Sequence, residues 1–281
     1  MTRAVLLSLV ICFFFQINLD SAQAQIPTSH KLEVMGLAQQ KGPLQPGQNI
    51  NLLVWNIHKA DDIQWFTDIK NLIANKDFSL FQEAVYPQTM VDFFSELGRF
   101  EWAMATSYRL INKDLSGTGV TTASKIKSLH QDVLSTISTE PVVSTPKISL
   151  YTTYAINIAG KKSEKELLVA NIHAINFVSN FTYFIELLRI EKRLAQHKGP
   201  IILAGDFNTW SESRIKYLNK MAERRGLTAV PFTETERRIT MGHPLDHVYY
   251  RDLKMISKED LSYITSSDHI PLSVQFQLEQ N

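Results

Sequence analysis

The sequence contains 281 residues with a formal net charge of +1, and 44% of its residues are hydrophobic and 20% charged. These values are typical of a globular protein, and a chain of this length can bury a large core without disulfides. The near-neutral charge argues against a processive or highly avid nucleic-acid-binding protein, because such proteins are usually much more basic.

Residues 1–24 have the layout of a secretory signal peptide. Arg3 supplies a positive charge, residues 4–15 form an apolar run, and Ala22-Gln23-Ala24 supplies small residues before a cleavage point at Gln25. The apolar run is short for a membrane span, which needs roughly 20 residues; an uncleaved N-terminal membrane anchor is the alternative. Cys12, the only cysteine, lies in this segment, so the mature chain is expected to have no disulfide and no thiol ligand. We therefore expect a secreted or periplasmic protein.

Residues 25–48 contain several prolines and glycines with little periodicity, which predicts an extended entry segment. From 49 to 281, strand-like and helix-like stretches alternate without a repeat or a second linker, so we expect one domain. The predicted strands cover residues 50–57, 78–82, 119–124, 149–158, 167–172, 200–204, 247–250 and 271–276. The predicted helices cover 65–73, 91–97, 181–196 and 209–225, the last with a capping box of Thr209 and Glu212. A hairpin turn at 160–164 makes the predicted fold class α/β with a mixed sheet.

Acidic, amide and imidazole side chains stand at the ends of these apolar strands. They are Asn56, Glu83, Asn171, His173, Asp206 and Asn208 after strands, and Asp246, Asp268 and His269 before strands. A single residue of this kind is more often a turn residue or a satisfied core histidine. Such residues at six strand ends of one chain indicate a shared site instead, because α/β sheets build their sites at strand ends.

Seven short motifs between residues 50 and 276 carry a family resemblance. They are Trp55-Asn56-Ile57-His58-Lys59, Phe81-Gln82-Glu83, residues 117–125, Asn171-Ile172-His173, Gly205-Asp206-Phe207-Asn208-Thr209, Leu245-Asp246-His247-Val248 and Ser267-Asp268-His269-Ile270-Pro271-Leu272. In this order they resemble the motifs of the endonuclease/exonuclease/phosphatase superfamily, and more narrowly those of uncharacterised bacterial members. The resemblance implies a four-layer α/β sandwich of two mixed β-sheets flanked by helices, with the site at one edge.

The resemblance also implies hydrolysis of a phosphoester by an in-line water with a hard divalent ion, Mg²⁺ or Mn²⁺. The implied metal ligands are Glu83, Asn56 and Asp268. The implied catalytic residues are His269 as general base, Asp246 as the group that orients its ring, Asp206 as the group that orients or deprotonates the water, and Asn208 and His173 as donors to phosphoryl oxygens. A general acid is the alternative role for His173. The candidates for substrate binding are Lys59, Asn171 and Ser124, with a solvated surface lysine as the alternative for Lys59.

The substrate is left open by these motifs. Tyr108-Arg109 is the nearest counterpart of the arginines and tyrosines that nucleases lay along DNA. We expect a nuclease-like phosphodiesterase first, and a phospholipid or small-molecule phosphodiesterase or phosphatase as the alternative, favoured by the neutral charge and the expected export. A non-catalytic binding module is disfavoured, because such a module is expected to lose residues such as Glu83, Asp206 or His269. No protein partner is implied, and we expect a monomer.

Overall fold

The computed structural model describes residues 24–28, 31–111, 115–141, 144–158 and 161–279. The predicted signal peptide, apart from Ala24, lies outside the described residues, and so does Gly160, the first residue of the predicted turn. The other four residues of that turn, 161–164, instead begin a strand. None of the helices in these ranges combines the length and apolarity that a membrane crossing requires.

Strands and helices alternate through the described ranges. The strands are β1 (Ala24–Gln25), β2 (Leu32–Gly36), β3 (Asn49–Asn56), β4 (Phe78–Val85), β5 (Glu101–Leu110), β6 (Ser116–Ser124), β7 (His130–Ser135), β8 (Ile148–Ile158), β9 (Lys161–His173), β10 (Ile201–Asp206), β11 (Thr228–Ala229), β12 (Ile239–Thr240), β13 (His243–Pro244), β14 (Asp246–Arg251), β15 (Leu253–Glu259) and β16 (Leu272–Leu278). The α-helices are α1 (Trp65–Ile73), α2 (Gln88–Glu96), α3 (Asn180–Ala195) and α4 (Glu212–Arg224), and 3₁₀ turns cover His58–Ala60 and Glu234–Glu236.

The strands form two large mixed sheets and a short hairpin. The first sheet has the order β1-β5-β6-β4-β3-β16-β15, with β2 also paired to β5. The second sheet has the order β11-β14-β10-β9-β8-β7, and β12 pairs with β13. The pairs β3–β4 and β9–β10 are parallel and the other neighbours are antiparallel. The predicted mixed α/β character is confirmed.

Apolar side chains on both faces of the sheets produce a layered molecule. In β3, Leu52 and Val54 belong to the core between the two sheets, whereas Leu53 and Trp55 pack with α1 and α2 on the outer face. The second sheet is covered in the same way by α3 and α4. Since central strands are buried on both faces, they appear in the sequence as continuous apolar runs. The resulting helix–sheet–sheet–helix order is the predicted four-layer sandwich.

Several strands have no continuous apolar run and were not among the predicted elements. β15 is a sheet-edge strand in which most residues are partly or fully exposed, and β5 mixes polar and apolar residues. In the entry segment, residues 32–36 form β2 on β5. The predicted capping box is wrong: α4 begins at Glu212, and the Thr209 hydroxyl instead donates to the Pro244 carbonyl at 2.5 Å.

Strand directions bring the polar strand ends to one edge of the sandwich. In the second sheet, Asp206 is in register with His173 on one side and with Asp246 on the other. In the first sheet, Asn56 is in register with Gln82, and β16 begins opposite Val54. The ends of β3, β4, β9 and β10 and the starts of β14 and β16 therefore surround one location.

Candidate functional site

Asp206 occupies the centre of this edge and joins the two sheets. Its Oδ2 accepts a hydrogen bond from Nδ2 of Asn56 on the opposite sheet at 3.0 Å, and its Oδ1 accepts one from the Asn208 N–H at 2.8 Å. The preceding Gly205 has φ 140°, and a Cβ there would lie 2.0 Å from the Ile172 carbonyl oxygen of β9. Only glycine permits this close approach of β10 to β9, which places Asp206 beside His173.

His269 is held by contacts to both sheets. Its Nδ1 lies 2.7 Å from Asp246 Oδ2, and its carbonyl oxygen accepts a hydrogen bond from the Trp55 indole at 3.0 Å. Ser267, two residues earlier, donates to the Asn56 carbonyl at 2.7 Å. These contacts fix the loop before β16, so that Nε2 of His269 is the ring nitrogen left to face the site.

Glu83 lies at a β-bulge in β4, where the register with β6 shifts between Gln82 and Ala84. Its backbone has φ 52°, a left-handed conformation that is uncommon for a residue with a side chain. His173 stands between two carboxylates, with Nε2 3.9 Å from Glu83 Oε1 and 3.7 Å from Asp206 Oδ2. The bulge therefore turns the Glu83 side chain toward the polar cluster, as bulges beside functional sites do.

Positive charges keep Glu83 ionised. Burial by itself would raise the pKa of Glu83, but nearby positive charges, of which Lys147 contributes most, lower it to about 2. Burial, followed by the positive charge of Lys147, lowers the pKa of His173 well below its ordinary value. At neutral pH, Glu83 is therefore an ionised carboxylate, the form that can bind a metal. His173 is a neutral imidazole, the form predicted to donate a hydrogen bond without carrying charge.

Asp206 and His269 have pKa values shifted in the same direction for different reasons. Burial raises the pKa of Asp206 to about 7, and the neighbouring Asp246 adds to the increase. Burial alone would lower the pKa of His269, but the charge and hydrogen bond of Asp246 raise it to about 10. The general-base role predicted for His269 needs a neutral ring, which this environment disfavours, whereas Asp206 has a pKa suited to accepting a proton near neutrality.

The donor groups at this edge fit a hard divalent cation. Ligand atoms of Asp206, Asp246 and His269 all lie within 4.8 Å of one another, and Asp246 Oδ1 is buried without a hydrogen-bond partner within the described residues. Glu83, with 25% of its side chain exposed, adds an ionised carboxylate near this cluster. Carboxylate and amide oxygens are the preferred ligands of Mg²⁺ and similar ions.

The structure brings most of the predicted residues together. Asn56, Glu83, His173, Asp206, Asn208, Asp246 and His269 surround the same location. Asn208 has φ 50° and donates its side-chain amide to the Ala174 carbonyl at 2.9 Å. Lys59, half-buried in a 3₁₀ turn whose three residues have positive φ, is close enough for its charge to lower the pKa of Glu83. Asp268 is exposed next to His269, outside the buried cluster.

Two predicted substrate-binding residues lie elsewhere. Ser124 is in register with Phe78, the first residue of β4, and is therefore about 15 Å along the strand from Glu83. Its hydroxyl is buried and donates to the Ile126 carbonyl at 2.6 Å. Asn171 is fully buried between the sheets, where its amide pairs with Gln82 at 2.7 Å and with the Thr121 carbonyl at 2.9 Å. The prediction that Ser124 and Asn171 bind substrate is wrong, because both side chains are buried and form hydrogen bonds within the protein.

Lys147, Glu140 and Tyr108 are site residues that the sequence motifs did not indicate. Lys147 Nζ lies 3.5 Å from Glu140 Oε1, with side-chain exposures of 12% and 6%. Tyr108 is half-buried, and burial raises its pKa although the nearby charges of Lys147 and Lys59 act to lower it. The sequence indicates Tyr108 only as the nearest counterpart of the tyrosines that nucleases lay along DNA. A lysine before a predicted strand has no pattern that distinguishes it from a solvated lysine, so only the tertiary contacts reveal Lys147.

The four-layer sandwich and its edge cluster of carboxylates, amides and imidazoles define the class of enzymes that hydrolyse phosphoesters with a divalent metal. Residues 53–269 match the Endonuclease/Exonuclease/phosphatase family, and the chain belongs to this family. Enzymes of the family hydrolyse phosphoester bonds and generally use divalent metals.

Solved structures share the fold at low sequence identity. The human Nocturnin catalytic domain with bound sulfate anion has 18% identity and a TM-score of 0.61, over 88% of this chain and 97% of that one. The mannosyl-6-phosphatase of Bacteroides thetaiotaomicron VPI-5482 has 13% identity and a TM-score of 0.54, over 81% and 99%. D. rerio TDP2 complexed with single strand DNA product has 13% identity and a TM-score of 0.52, over 82% and 99%. At these identities the likeness concerns the fold alone.

Proposed function

We propose that this protein is an exported, Mg²⁺-dependent phosphodiesterase of nuclease-like type. The observation that carries the proposal is the convergence of ionised Glu83 with the buried Asp206–Asp246–His269 cluster at one edge of the sandwich. Export is supported by the signal-peptide layout of residues 1–24. A nucleic-acid substrate is supported by the shared fold of D. rerio TDP2 with its DNA product.

In the proposed reaction, Glu83 and Asn56 would hold the metal, with Asp268 in support, and the metal would supply neutralisation of the charge on the phosphoryl oxygens. Asp206 orients the attacking water and accepts its proton, since it lies between His173 and Asn56 at the centre of the cluster. Asp246 occupies Nδ1 of His269, so the protonated ring presents Nε2–H to the leaving oxygen and supplies its proton as the P–O bond breaks. Neutral His173 and the Asn208 amide donate hydrogen bonds to the phosphoryl oxygens, where preorganised donors lower the barrier most.

A second candidate is a phosphatase or phosphodiesterase that acts on a small or lipid-borne phosphoester. It is favoured by the net charge of +1, which provides little sequence-independent attraction to a polyanion. The shared fold of the mannosyl-6-phosphatase supports the same alternative.

The first prediction concerns the activity and its dependence on His269. The purified protein is expected to hydrolyse bis(p-nitrophenyl) phosphate in the presence of Mg²⁺ and to lose activity in EDTA. His269→Ala should lower kcat at least about 100-fold, because a group that moves or holds a proton at the reacting centre contributes on that order. His130→Ala, at an exposed position of β7, is the matched control and should keep full activity.

Substrate preference is measured in the same assay with p-nitrophenyl phosphate, single-stranded DNA and phosphatidylcholine vesicles. Preference for DNA supports the nuclease-like proposal, and preference for the monoester or the vesicles supports the second candidate. A folded, Mg²⁺-loaded protein that turns over none of these substrates, or that is unaffected by His269→Ala, contradicts the proposed function.

A further inference from the structure

Lys147 lies at the point where the two sheets meet at the edge that carries the site. It directly precedes β8, whose Ser149 is in register with Ile172, the neighbour of His173. Lys147 exchanges two hydrogen bonds with Thr136, from its own N–H to the hydroxyl at 3.0 Å and from the Thr136 N–H to its carbonyl at 2.9 Å. Its backbone is therefore fixed beside the polar cluster.

The first sheet reaches the same segment from the opposite side. The Ser107 hydroxyl of β5 donates to the carbonyl of Pro146, the residue before Lys147, at 2.6 Å. Ser107 is followed by Tyr108, which belongs to the part of β5 paired with β6 opposite the Glu83 bulge. Lys147 is thus enclosed by β5 on one side and by the end of β9 on the other.

The Lys147 side chain is positioned by the carboxylate of Glu140, which also accepts a hydrogen bond from the loop at Asn176. Glu140 Oε1 lies 3.5 Å from Lys147 Nζ and accepts a hydrogen bond from the Asn176 N–H at 2.9 Å. The Asn176 side chain in turn accepts from the Trp210 indole at 2.7 Å, in the loop that follows Asn208. At 3.5 Å the contact with Glu140 is a long ion pair, so the three N–H donors of the ammonium keep capacity for a further acceptor.

The charge of Lys147 acts on the site more strongly than that of any other cation near Glu83 and His173. It makes the largest positive-charge contribution to the lowered pKa of each of these residues. Burial alone would lower the pKa of Lys147, but Glu140, Glu83, Tyr108 and Asp206 raise it, so the ammonium stays charged. This largely buried ammonium therefore lies beside the end of β9 that carries His173, the location proposed for the phosphoryl group.

We propose that Lys147 is a phosphate-binding residue that contacts the non-bridging oxygens of the substrate phosphoryl group, and that Glu140 fixes its ammonium for this contact. The proposal rests on the proposed phosphoesterase function and adds a binding group to it. The alternative is that Lys147 only neutralises the buried carboxylate of Glu140. The two roles separate when both partners are made neutral together, because a purely structural ion pair can be replaced by a neutral pair without affecting an anion at the site.

The test measures binding of inorganic phosphate to the full chain by calorimetry, with Mg²⁺ and with EDTA, so that it needs no turnover. Lys147→Met and the double variant Lys147→Met/Glu140→Gln should weaken phosphate affinity about tenfold or more, as expected for loss of a charged hydrogen bond. Lys147→Arg should keep part of the affinity, because the positive charge remains. Lys76→Met is the matched control, since Lys76 also has 12% side-chain exposure and pairs with Glu259 away from the site.

Phosphate affinity that is unchanged in the folded double variant overturns the proposal and leaves Lys147 as the partner of Glu140. If Lys147→Met fails to fold, the double variant still provides the test, because replacing Glu140 by Gln leaves no buried carboxylate without its partner. Where turnover is measurable, KM should rise in Lys147→Met more than kcat falls. A protein that binds phosphate through Lys147 but hydrolyses none of the substrates contradicts the proposed function and not this inference.

Discussion

Residues at the site include several with unusual backbone conformations. Glu83 and Asn208 have φ of 52° and 50°, and all three residues of the turn His58–Ala60 have positive φ. Such conformations cost on the order of 1–3 kcal/mol each for residues other than glycine, and they persist only where surrounding contacts impose them. In Asn208 those contacts include the buried Arg214, whose guanidinium donates to the Asn208 carbonyl at 2.9 Å. Part of the backbone strain in the described residues therefore lies at Glu83, Asn208 and Lys59, to which we assign metal and substrate contacts.

Single residues away from the site set part of the pH dependence of stability. His197 Nε2 lies 2.8 Å from the Glu166 carbonyl oxygen and 3.1 Å from that of Pro200. Burial lowers the pKa of His197 in the folded protein. The unfolded chain then binds a proton more readily, so the stabilisation is present above the unfolded pKa of about 6.5 and is lost as pH falls below it.

We therefore expect His197→Gln to flatten the decrease in the free energy of unfolding between pH 7 and pH 5, measured by urea denaturation. The exposed His130 provides a matched variant, His130→Gln, which should leave the slope of the wild-type curve in place. An unchanged slope in His197→Gln would exclude the proposed contribution.

At the scale of elements, polar ties between the sheets position the strand ends. Asn171 of β9 donates to the Phe81 and Thr121 carbonyls of the first sheet at 3.2 and 2.9 Å, and it accepts from the Gln82 amide. This contact lies beneath the bulge that directs Glu83, where Gly119 is required because a Cβ would lie 2.0 Å from the Ala105 carbonyl oxygen. The internal amide network therefore fixes how the two sheets meet below the site.

Asn171→Ala should lower the free energy of unfolding by about 2–3 kcal/mol, because it leaves buried polar groups of the facing sheet without partners. Substrate KM should not change in the variant that remains folded, since Asn171 does not reach the site. Chemical denaturation and steady-state kinetics test both parts. Asn157→Ala removes an exposed amide contact to Gln45 and should cost little, and a raised KM in Asn171→Ala alone would restore the substrate-binding interpretation.

At the scale of the whole molecule, the site concentrates buried carboxylates whose mutual repulsion a bound cation would relieve. Asp206 and Asp246 are both at most 3% exposed, and the charge of Asp246 helps to raise the pKa of Asp206. A ligand that binds only the folded state stabilises it by mass action, by about 2.7 kcal/mol at a hundred times its Kd. A divalent ion is therefore expected to stabilise the entire sandwich.

We predict that saturating Mg²⁺ raises the Tm by about 5–10 °C relative to EDTA, measured by differential scanning calorimetry. Glu83→Gln should remove most of this increase, because it removes the ionised ligand. Glu96→Gln, at an exposed position at the end of α2, is the control and should retain it. An equal increase in wild type and Glu83→Gln would show that Glu83 does not hold the ion.

The sequence by itself determined the fold class, the central strands and most of the site. β3, β4, β9 and β10 are buried on both faces, so their apolar runs are visible without any structural information. Most of the site residues were found for the same reason, because they directly follow or precede such a run; Asn171 is the exception, since β9 continues to His173. The strands β15 and β5 were not predicted. Most residues of the edge strand β15 face solvent, and β5 mixes polar and apolar residues without a clear pattern.

Only the tertiary structure decided which of two similar polar residues faces the site. Asn171 and His173 share one face of β9, but Asn171 lies between the sheets, whereas His173, at the end of the strand, stands between Glu83 and Asp206. Ser124 and Glu83 lie on paired strands but at opposite ends, which depends on strand direction and register. Lys147 reaches the cluster through contacts with β5 and with loops distant in sequence. Where each strand ends relative to its neighbours, and which distant segments meet, are properties of the packed sheets that leave no local pattern in the sequence.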